Sequence, residues 1–146
     1  MLIDTETLNL TVDFPGCQKL GCEERLLYEL VNRERLKAGL PLLLLDLRLV
    51  ELARLKSDEM FKNSYFNHIS PTYGTPINML RNHGISSRVM GAENIARAAT
   101  VRRAHQLFMD SKPHRANIMD HQHDSFGVGV YKSMHGVVVT QLFLGH

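Results

Sequence analysis

Phe126-Gly127-Val128-Gly129-Val130-Tyr131 and Val137-Val138-Val139-Thr140-Gln141-Leu142-Phe143-Leu144, either side of Ser133-Met134-His135-Gly136, are where the period of this chain changes. Phe126, Val128 and Val130 alternate with Gly127, Gly129 and Tyr131, the period of two that a strand imposes. The second run is rich in β-branched and aromatic residues, and the turn between the runs closes an antiparallel hairpin. Upstream the apolar residues recur at helical spacing and no βαβ alternation is visible. Helices first and a hairpin last predict an α+β fold.

Immediately before the hairpin stands Ser111-Lys112-Pro113-His114-Arg115-Ala116-Asn117-Ile118-Met119. Pro113 suits the first position of a short helix, where its missing N–H costs nothing, and Ser111 or the preceding turn can cap it. His114 then falls in the first turn. Exposed backbone donors and the positive end of the helix dipole there favour a neutral imidazole, able to accept a proton or bind a metal. A lone histidine at a helix start is more often a capping or surface group, so its meaning depends on partners elsewhere.

Further back, Thr100 can cap a helix whose buried face is Ala104, Leu107 and Phe108. Residues 89–97 are too short and too rich in glycine and alanine to assign to helix or strand. Among them Glu93 sits between small and apolar neighbours, where a carboxylate is either paired or functional because unpaired burial is expensive. Thr75 to His83 can form a short helix ending at Gly84. Residues 63–71 are turn-rich, with Tyr65 and Phe66 placed to anchor a loop from which His68 projects. A longer helix runs from its N-cap Asp46 to about Lys62, with Val50, Ala53, Ser57 and Met60 on one face and Arg48, Glu51, Arg54 and Asp58 mostly opposite. Leu40 to Leu45 is an apolar connector broken by Pro41. The first helix opens at Glu23, buries Leu26, Leu27, Leu30 and Val31, and stops at Gly39. Residues 1–21 read as an N-terminal arm, extended or a short strand, ahead of a domain over residues 22–146.

The whole chain has 146 residues, 44% of them hydrophobic, which suits one domain with an ordinary core. Its 17 basic and 15 acidic residues are nearly balanced, and no basic run or stripe interleaved with aromatics is present, so nucleic acid is not an expected partner. Cys17 and Cys22 lack the second pair that a zinc knuckle needs, leaving a local disulfide or two free thiols. No apolar run is long enough to span a membrane, and residues 1–20 lack the basic and apolar regions of a signal peptide, so a soluble chain is expected.

His68, Glu93 and His114 are the three groups that stand out. Two imidazoles and a carboxylate can make a divalent metal site with open positions, or an acid/base pair oriented by a carboxylate. Their spacing matches no local metal-ligand template. Around them, Asn94 and Asn117 are expected to satisfy backbone groups, and Arg115 to pair with a carboxylate that braces the cleft. Ser111 reads as a cap rather than a nucleophile, because no Gly-x-Ser-x-Gly elbow surrounds it. His121 and His123 lie in a polar turn and are expected to be solvated; His83, His105, His135 and His146 have no supporting context.

Six ordered motifs carry a resemblance: Asn32-Arg33-Glu34-Arg35 ahead of Gly39-Leu40-Pro41-Leu42; Ser57-Asp58-Glu59-Met60; Tyr65-Phe66-Asn67-His68-Ile69-Ser70-Pro71; Gly91-Ala92-Glu93-Asn94-Ile95-Ala96; Ser111-Lys112-Pro113-His114-Arg115-Ala116-Asn117-Ile118; and Gly127-Val128-Gly129-Val130. Over about residues 23–144 the chain resembles the bacterial branch of the CAP superfamily, also called SCP-like, which takes in cysteine-rich secretory proteins, antigen 5 and pathogenesis-related 1 proteins. The resemblance implies an α-β-α sandwich with a small antiparallel sheet between helical layers. It also implies that His68, Glu93 and His114 meet in a central cleft, where some members bind a divalent cation, often zinc, through the two histidines. Many members have a fourth acidic residue in that cleft; the sequence does not place it, Asp110 being the candidate. Ala92 departs from the usual Gly-Glu-Asn run while the Glu-Asn-Ile-Ala core is kept.

The expected function is therefore a secreted or cell-surface CAP domain whose cleft holds a divalent metal, zinc first, or a small ligand, with no established turnover. The alternative is a metal-assisted hydrolase of peptide or cell-wall substrates, with Glu93 as general base and His68 and His114 at the metal. A third reading is a surface for a lipid, sterol, cell-wall component or protein, which would require an exposed apolar groove away from the three residues.

Overall fold

The computed structural model describes residues 16–146. The arm or strand expected over residues 1–21 lies, for residues 1–15, outside the described residues. Its last part is not extended: Cys17–Lys19 forms a 3-10 turn whose Cys17 is buried, and Cys17 and Leu20 pack with Leu27 and Tyr28 in the main core. Cys17 and Cys22 form no disulfide among the described residues.

Helix α1 spans Cys22–Lys37. Its start is capped by Glu24, which accepts from the Gly21 N–H at 2.9 Å. Its end is a Schellman turn: Gly39 takes φ 74°, and the Leu40 and Gly39 amides return to the Arg35 and Leu36 carbonyls at 2.9 and 3.1 Å. The expected connector then contributes a two-residue strand, β1 (Leu44–Leu45), which the sequence reading did not anticipate. Helix α2 (Leu47–Lys62) starts on Asp46, whose carboxylate accepts from the Arg48 N–H at 2.9 Å, so both of its ends fall where the sequence put them. Helix α3 (Pro76–Asn82) is capped by Thr75. The unassigned residues after it form a strand, β2 (Val89–Ala98). Helices α4 (Val101–Asp110) and α5 (Lys112–Met119) precede the predicted hairpin of β3 (Ser125–Ser133) and β4 (Gly136–Gly145).

The strands lie in the order β1-β3-β4-β2. β4 is antiparallel to both β3 and β2, and β1 adds a short parallel rung on β3. Alternation along β4 divides the molecule into layers. Val137, Val139 and Phe143 face a core built with α1, α4 and α5, whereas Leu142 and Leu144 face α2 and α3. The result is the α-β-α sandwich expected from the resemblance.

On α4 the buried residues are Val101, Ala104, His105 and Phe108, and Leu107, expected in the core, is 36% exposed. The stripe advances 101, 104/105, 108, which leaves position 107 beside it. His105 fills the space instead. Its Nε2 lies 3.3 Å from Glu34 Oε1, and burial pushes its pKa below that of a free imidazole.

The contact that sets the α2 layer is made by glycine. A Cβ on Gly129 would lie 2.1 Å from the Arg54 nitrogen, and one on Gly127 2.4 Å from the Leu49 carbonyl carbon, so helix backbone rests directly on strand backbone. Ser57 fastens the same contact by donating to the Gly129 carbonyl at 2.9 Å. Gly129→Ala is expected to lower stability by about 2–3 kcal/mol, the upper part of the overpacking range, because the clash is with main chain. Urea denaturation of the two proteins measures it, and an unchanged midpoint would contradict this packing.

Candidate functional site

Helix α2 positions the first histidine through groups buried at its C-terminal half. Lys56 is 1% exposed and Glu59 is 9% exposed, although both are charged. The Lys56 ammonium donates to the His68 carbonyl at 2.9 Å and lies 5.2 Å from the centre of the Tyr65 ring. Burial depresses its pKa, while the charges of Glu93 and Glu59 oppose that fall. Glu59 accepts from the Tyr65 hydroxyl and from the Ser70 hydroxyl. Ser70 and Gly74 then exchange backbone bonds of 2.8 and 2.9 Å, closing the turn that follows His68.

Only one of the two expected aromatic anchors enters the core. Tyr65 packs against Met60, Ile95 and Val138, whereas Phe66 is 39% exposed, its ring covered by the Arg97 guanidinium at 4.6 Å. The loop is therefore held less by apolar burial than by Lys56 and Glu59. Sequence reasoning assigned these two residues no role. The signal was present, because Ala53, Lys56, Glu59 and Met60 share the spacing of the buried stripe, and a charge on such a stripe calls for a partner.

Glu93 comes from β2, just after a bulge. The β2–β4 register shifts between Val89 and Ala92, and Gly91 sits there at φ 92° with room for no side chain, since a Cβ would lie 2.3 Å from Ile77. The Glu93 side chain is 1% exposed, and its Oε1 lies 2.9 Å from His68 Nδ1, while the His68 ring remains 51% exposed. The other carboxylate oxygen, Oε2, is buried and has no hydrogen-bond partner among the described residues. Such an orphaned acceptor calls for a water, an ion or a reacting group.

His114 arrives from the opposite helical layer. Pro113 lies within the first two positions of α5, as expected, but Ser111 makes no side-chain capping bond. Its hydroxyl instead meets His114 Nδ1 at 2.7 Å. The imidazole rests near the Phe108 ring, centroids 5.4 Å apart. Its pKa is lowered, first by burial and then by the charge of His68; the direction matches the sequence reading, and the cause is the cleft. Both imidazoles thus engage their Nδ1 atoms, one with a carboxylate and one with a hydroxyl, leaving each Nε2 without a hydrogen-bond partner among the described residues.

Beneath the cleft a buried amide relay joins the layers. Asn94 donates to the His114 carbonyl and to Gln141 Oε1, both at 3.1 Å, and accepts from Asn117 at 2.9 Å. The expectation that these asparagines satisfy backbone groups holds for Asn94 at the His114 carbonyl, whereas the Asn117 side chain bonds the Asn94 side chain. His123, expected to be solvated, is 3% exposed; its Nδ1 bonds the Asn117 carbonyl at 2.8 Å and its ring stacks on Phe143, because the turn after α5 folds inward onto the sheet. His121 is exposed, as read. Among the described residues Arg115 pairs with no carboxylate: it is exposed and donates to the Met109 carbonyl at 3.0 Å. Asp110 ends α4 on the exposed side and makes no hydrogen bond or ion pair with a cleft group among the described residues, so the fourth acid is not supplied there.

Among the described residues no three His, Cys, Asp or Glu side chains form a group ready to hold a metal ion. The donors available are two imidazole Nε2 atoms and the free oxygen of Glu93. A histidine whose second nitrogen is fixed by a carboxylate or hydroxyl is the usual state of a metal ligand. The donor set therefore fits a cation bound by two protein nitrogens, with its remaining positions open.

Comparison with known proteins identifies the family and the fold. The chain is 39% identical over 141 residues to the uncharacterised protein YkwD of Bacillus subtilis (strain 168), covering 96% of this chain and 53% of that one. It is 32% identical over 108 residues to the uncharacterised membrane protein YlbC of the same organism, covering 73% of this chain and 31% of that one. It thus spans about half the length, or less, of the curated relatives it matches. Among solved structures, an extracellular protein from Bacillus anthracis containing an SCP domain superposes with TM-score 0.78 at 32% identity, over 85% of this chain and 40% of that one. An outer surface protein of Borrelia burgdorferi shares the fold with TM-score 0.74 at 18% identity, over 84% of this chain and 92% of that one. The model of the CAP family, the cysteine-rich secretory protein family, matches residues 28–143, and with that match over most of its length the chain belongs to this family.

Proposed function

We propose that this domain is a binding module, exported or displayed at the cell surface, whose cleft takes a divalent cation, zinc by donor chemistry, or a small ligand that engages the same atoms. The observation that carries the reading is the pair of imidazoles fastened through Nδ1, with Glu93 buried beside them and one of its oxygens unpartnered. The likeness to an extracellular SCP-domain protein of Bacillus anthracis supports the location. No helix among the described residues is long and apolar enough to cross a membrane.

His68 and His114 would hold the cation, and Glu93 would orient His68 while balancing the charge. A bound zinc supplies Lewis acidity at its open positions. A second reading follows from Glu93 Oε2: a buried carboxylate oxygen with no partner can take a proton from a water, the role of a general base in a hydrolase. The binding reading needs only the two imidazoles held through Nδ1, whereas hydrolysis needs Glu93 Oε2 and a bound water as well.

Zinc titration by calorimetry on metal-stripped protein is expected to show one equivalent bound, with none bound by the His68→Ala, His114→Ala double variant. Glu93→Gln should weaken binding about tenfold, the usual size of an outer-partner effect. Equal binding by the double variant would place the cation elsewhere. Zinc-dependent hydrolysis of a peptide or cell-wall substrate that disappears in Glu93→Gln would favour the enzyme instead.

Acid should weaken the site in a defined order. His114 has a lowered pKa when folded, so on acidification the unfolded chain takes up its proton first. The stability of the neutral form is therefore lost as pH falls through the ordinary imidazole range. Protons compete with the cation for both imidazoles, so cation binding weakens as pH falls. NMR titration of the His114 ring protons is expected to give a midpoint below that of a free imidazole, moving upward in His68→Ala; a downward move would contradict the charge coupling.

A further inference from the structure

Strand β2 is the edge of the sheet, paired with β4 alone. Among the described residues no backbone hydrogen bond outside that ladder involves residues 92–98, and with Ile95 and Ala96 buried the second edge is reached only through a cavity. A cavity of about 390 Å³ is lined by three consecutive residues of this strand, Ile95, Ala96 and Arg97, together with Phe66 and Leu107. Consecutive strand residues point to opposite faces. Here Ile95 packs on the α2 side and Ala96 in the core of the other layer. A cavity that touches all three lies over the open edge itself, walled by the loop of Phe66 on one side and by α4 on the other.

The trough does not end there. Arg97 also lines a second cavity of about 490 Å³, which continues toward the β3–β4 turn and reaches His135 and Gly136. At the opposite end the first cavity reaches Ser111 and His114. Arg97 stands at the junction, exposed, its guanidinium laid on the Phe66 ring, and no carboxylate pairs with it among the described residues. Phe66 and Leu107, the aromatic and the leucine that sequence reading expected in the core, are the exposed apolar walls of this trough.

We infer that an extended peptide binds here as an added strand on β2, with its backbone bonded to the edge at Ile95–Arg97 and an acidic side chain paired with Arg97. An open strand edge presents N–H and C=O groups at the repeat of another extended chain, and a single peptide satisfies them as it lies down. A lipid tail would leave those groups unpaired in an apolar trough. Phe66 and Leu107 flank the edge, and cover of that kind protects edges from unwanted pairing. Arg97 chooses the charge, since a guanidinium already oriented over a ring can meet a carboxylate through two parallel bonds. Phe66 and Leu107 receive the apolar side chains that flank it. This binding needs no cation, and so goes beyond the cleft reading without resting on it.

The test uses metal-stripped protein and a random heptapeptide library displayed with both ends blocked, followed by synthesis of the selected sequences. Selected peptides are expected to carry Asp or Glu, to shift the backbone amide resonances of residues 95–98, and to lose at least tenfold in affinity when alternate peptide amides are N-methylated. Arg97→Gln, a change at an exposed position, should cost about tenfold for the acidic peptides while leaving zinc binding as in the wild type. A library that yields no binder overturns the proposal, as do peptides that keep their affinity after N-methylation or in Arg97→Gln. Phosphatidylglycerol vesicles that bind the protein and shift the same amides, where peptides do not, would assign the trough to a membrane surface and overturn it equally. Because the cation is absent, failure here leaves the zinc reading standing, and failure of zinc binding leaves this one.

Discussion

Helix α2 lies with its backbone against the backbone of β3, and that approach is possible only because Gly127 and Gly129 present no side chains to it. The distance between these two elements sets how far the rest of α2 stands from the sheet. Met60, near the end of the helix, then reaches Ile95 and Val138. Lys56 and Glu59 fall under the loop that follows, where solvent is excluded. A wider spacing would let water reach both charges and weaken their hold on the loop.

That hold is electrostatic in an unusual proportion. Arg35, at the far side of the molecule, uses the same device: it is 1% exposed and its guanidinium donates to the carbonyls of Pro41, Ile118, Asp120 and His123. It thereby ties the end of α1 to the segment after α5. Lys56 does likewise for the His68 carbonyl. In both cases a buried cation gathers backbone oxygens, and a buried carbonyl left without its donor typically costs about 1–3 kcal/mol. The two histidines of the cleft are thus carried on segments pinned by buried cations, one beneath each helical layer. The cleft inherits its geometry from those pins more than from its own hydrogen bonds.

Both walls of the cleft meet at β2, and the reason is topological. A strand at the edge of the sheet is the one place where loops from the two helical layers can approach each other past the sheet. His68 comes around from the α2 side and His114 from the α4–α5 side, while Glu93 rises from the strand between them. A few residues on, Arg97 lies over the Phe66 ring with no carboxylate partner among the described residues, so the cleft and the trough adjoin one edge strand.

Much of this was legible in the sequence. Asp46 and Gly39 mark helix ends because capping is local chemistry, and the 126–144 alternation marks a hairpin because pleat and turn are local too. The motifs around His68, Glu93 and His114 also pointed to one family and one cleft. The strand at residues 89–98 was not legible, since glycine and alanine carry little intrinsic preference and its partner β4 lies more than 40 residues away. Nor were the burial of His123, the exposure of Leu107 and Phe66, the turn of Ser111 toward His114, or the idle position of Asp110. Each depends on which surface arrives opposite it. By itself, the sequence determined where elements begin and end and which residue types carry the chemistry, because those are set within a few residues along the chain. Only the tertiary structure decided which charges are buried, which nitrogen of each imidazole is engaged and which strand edge stays open, because each of these is a relation between segments that meet only when the layers close.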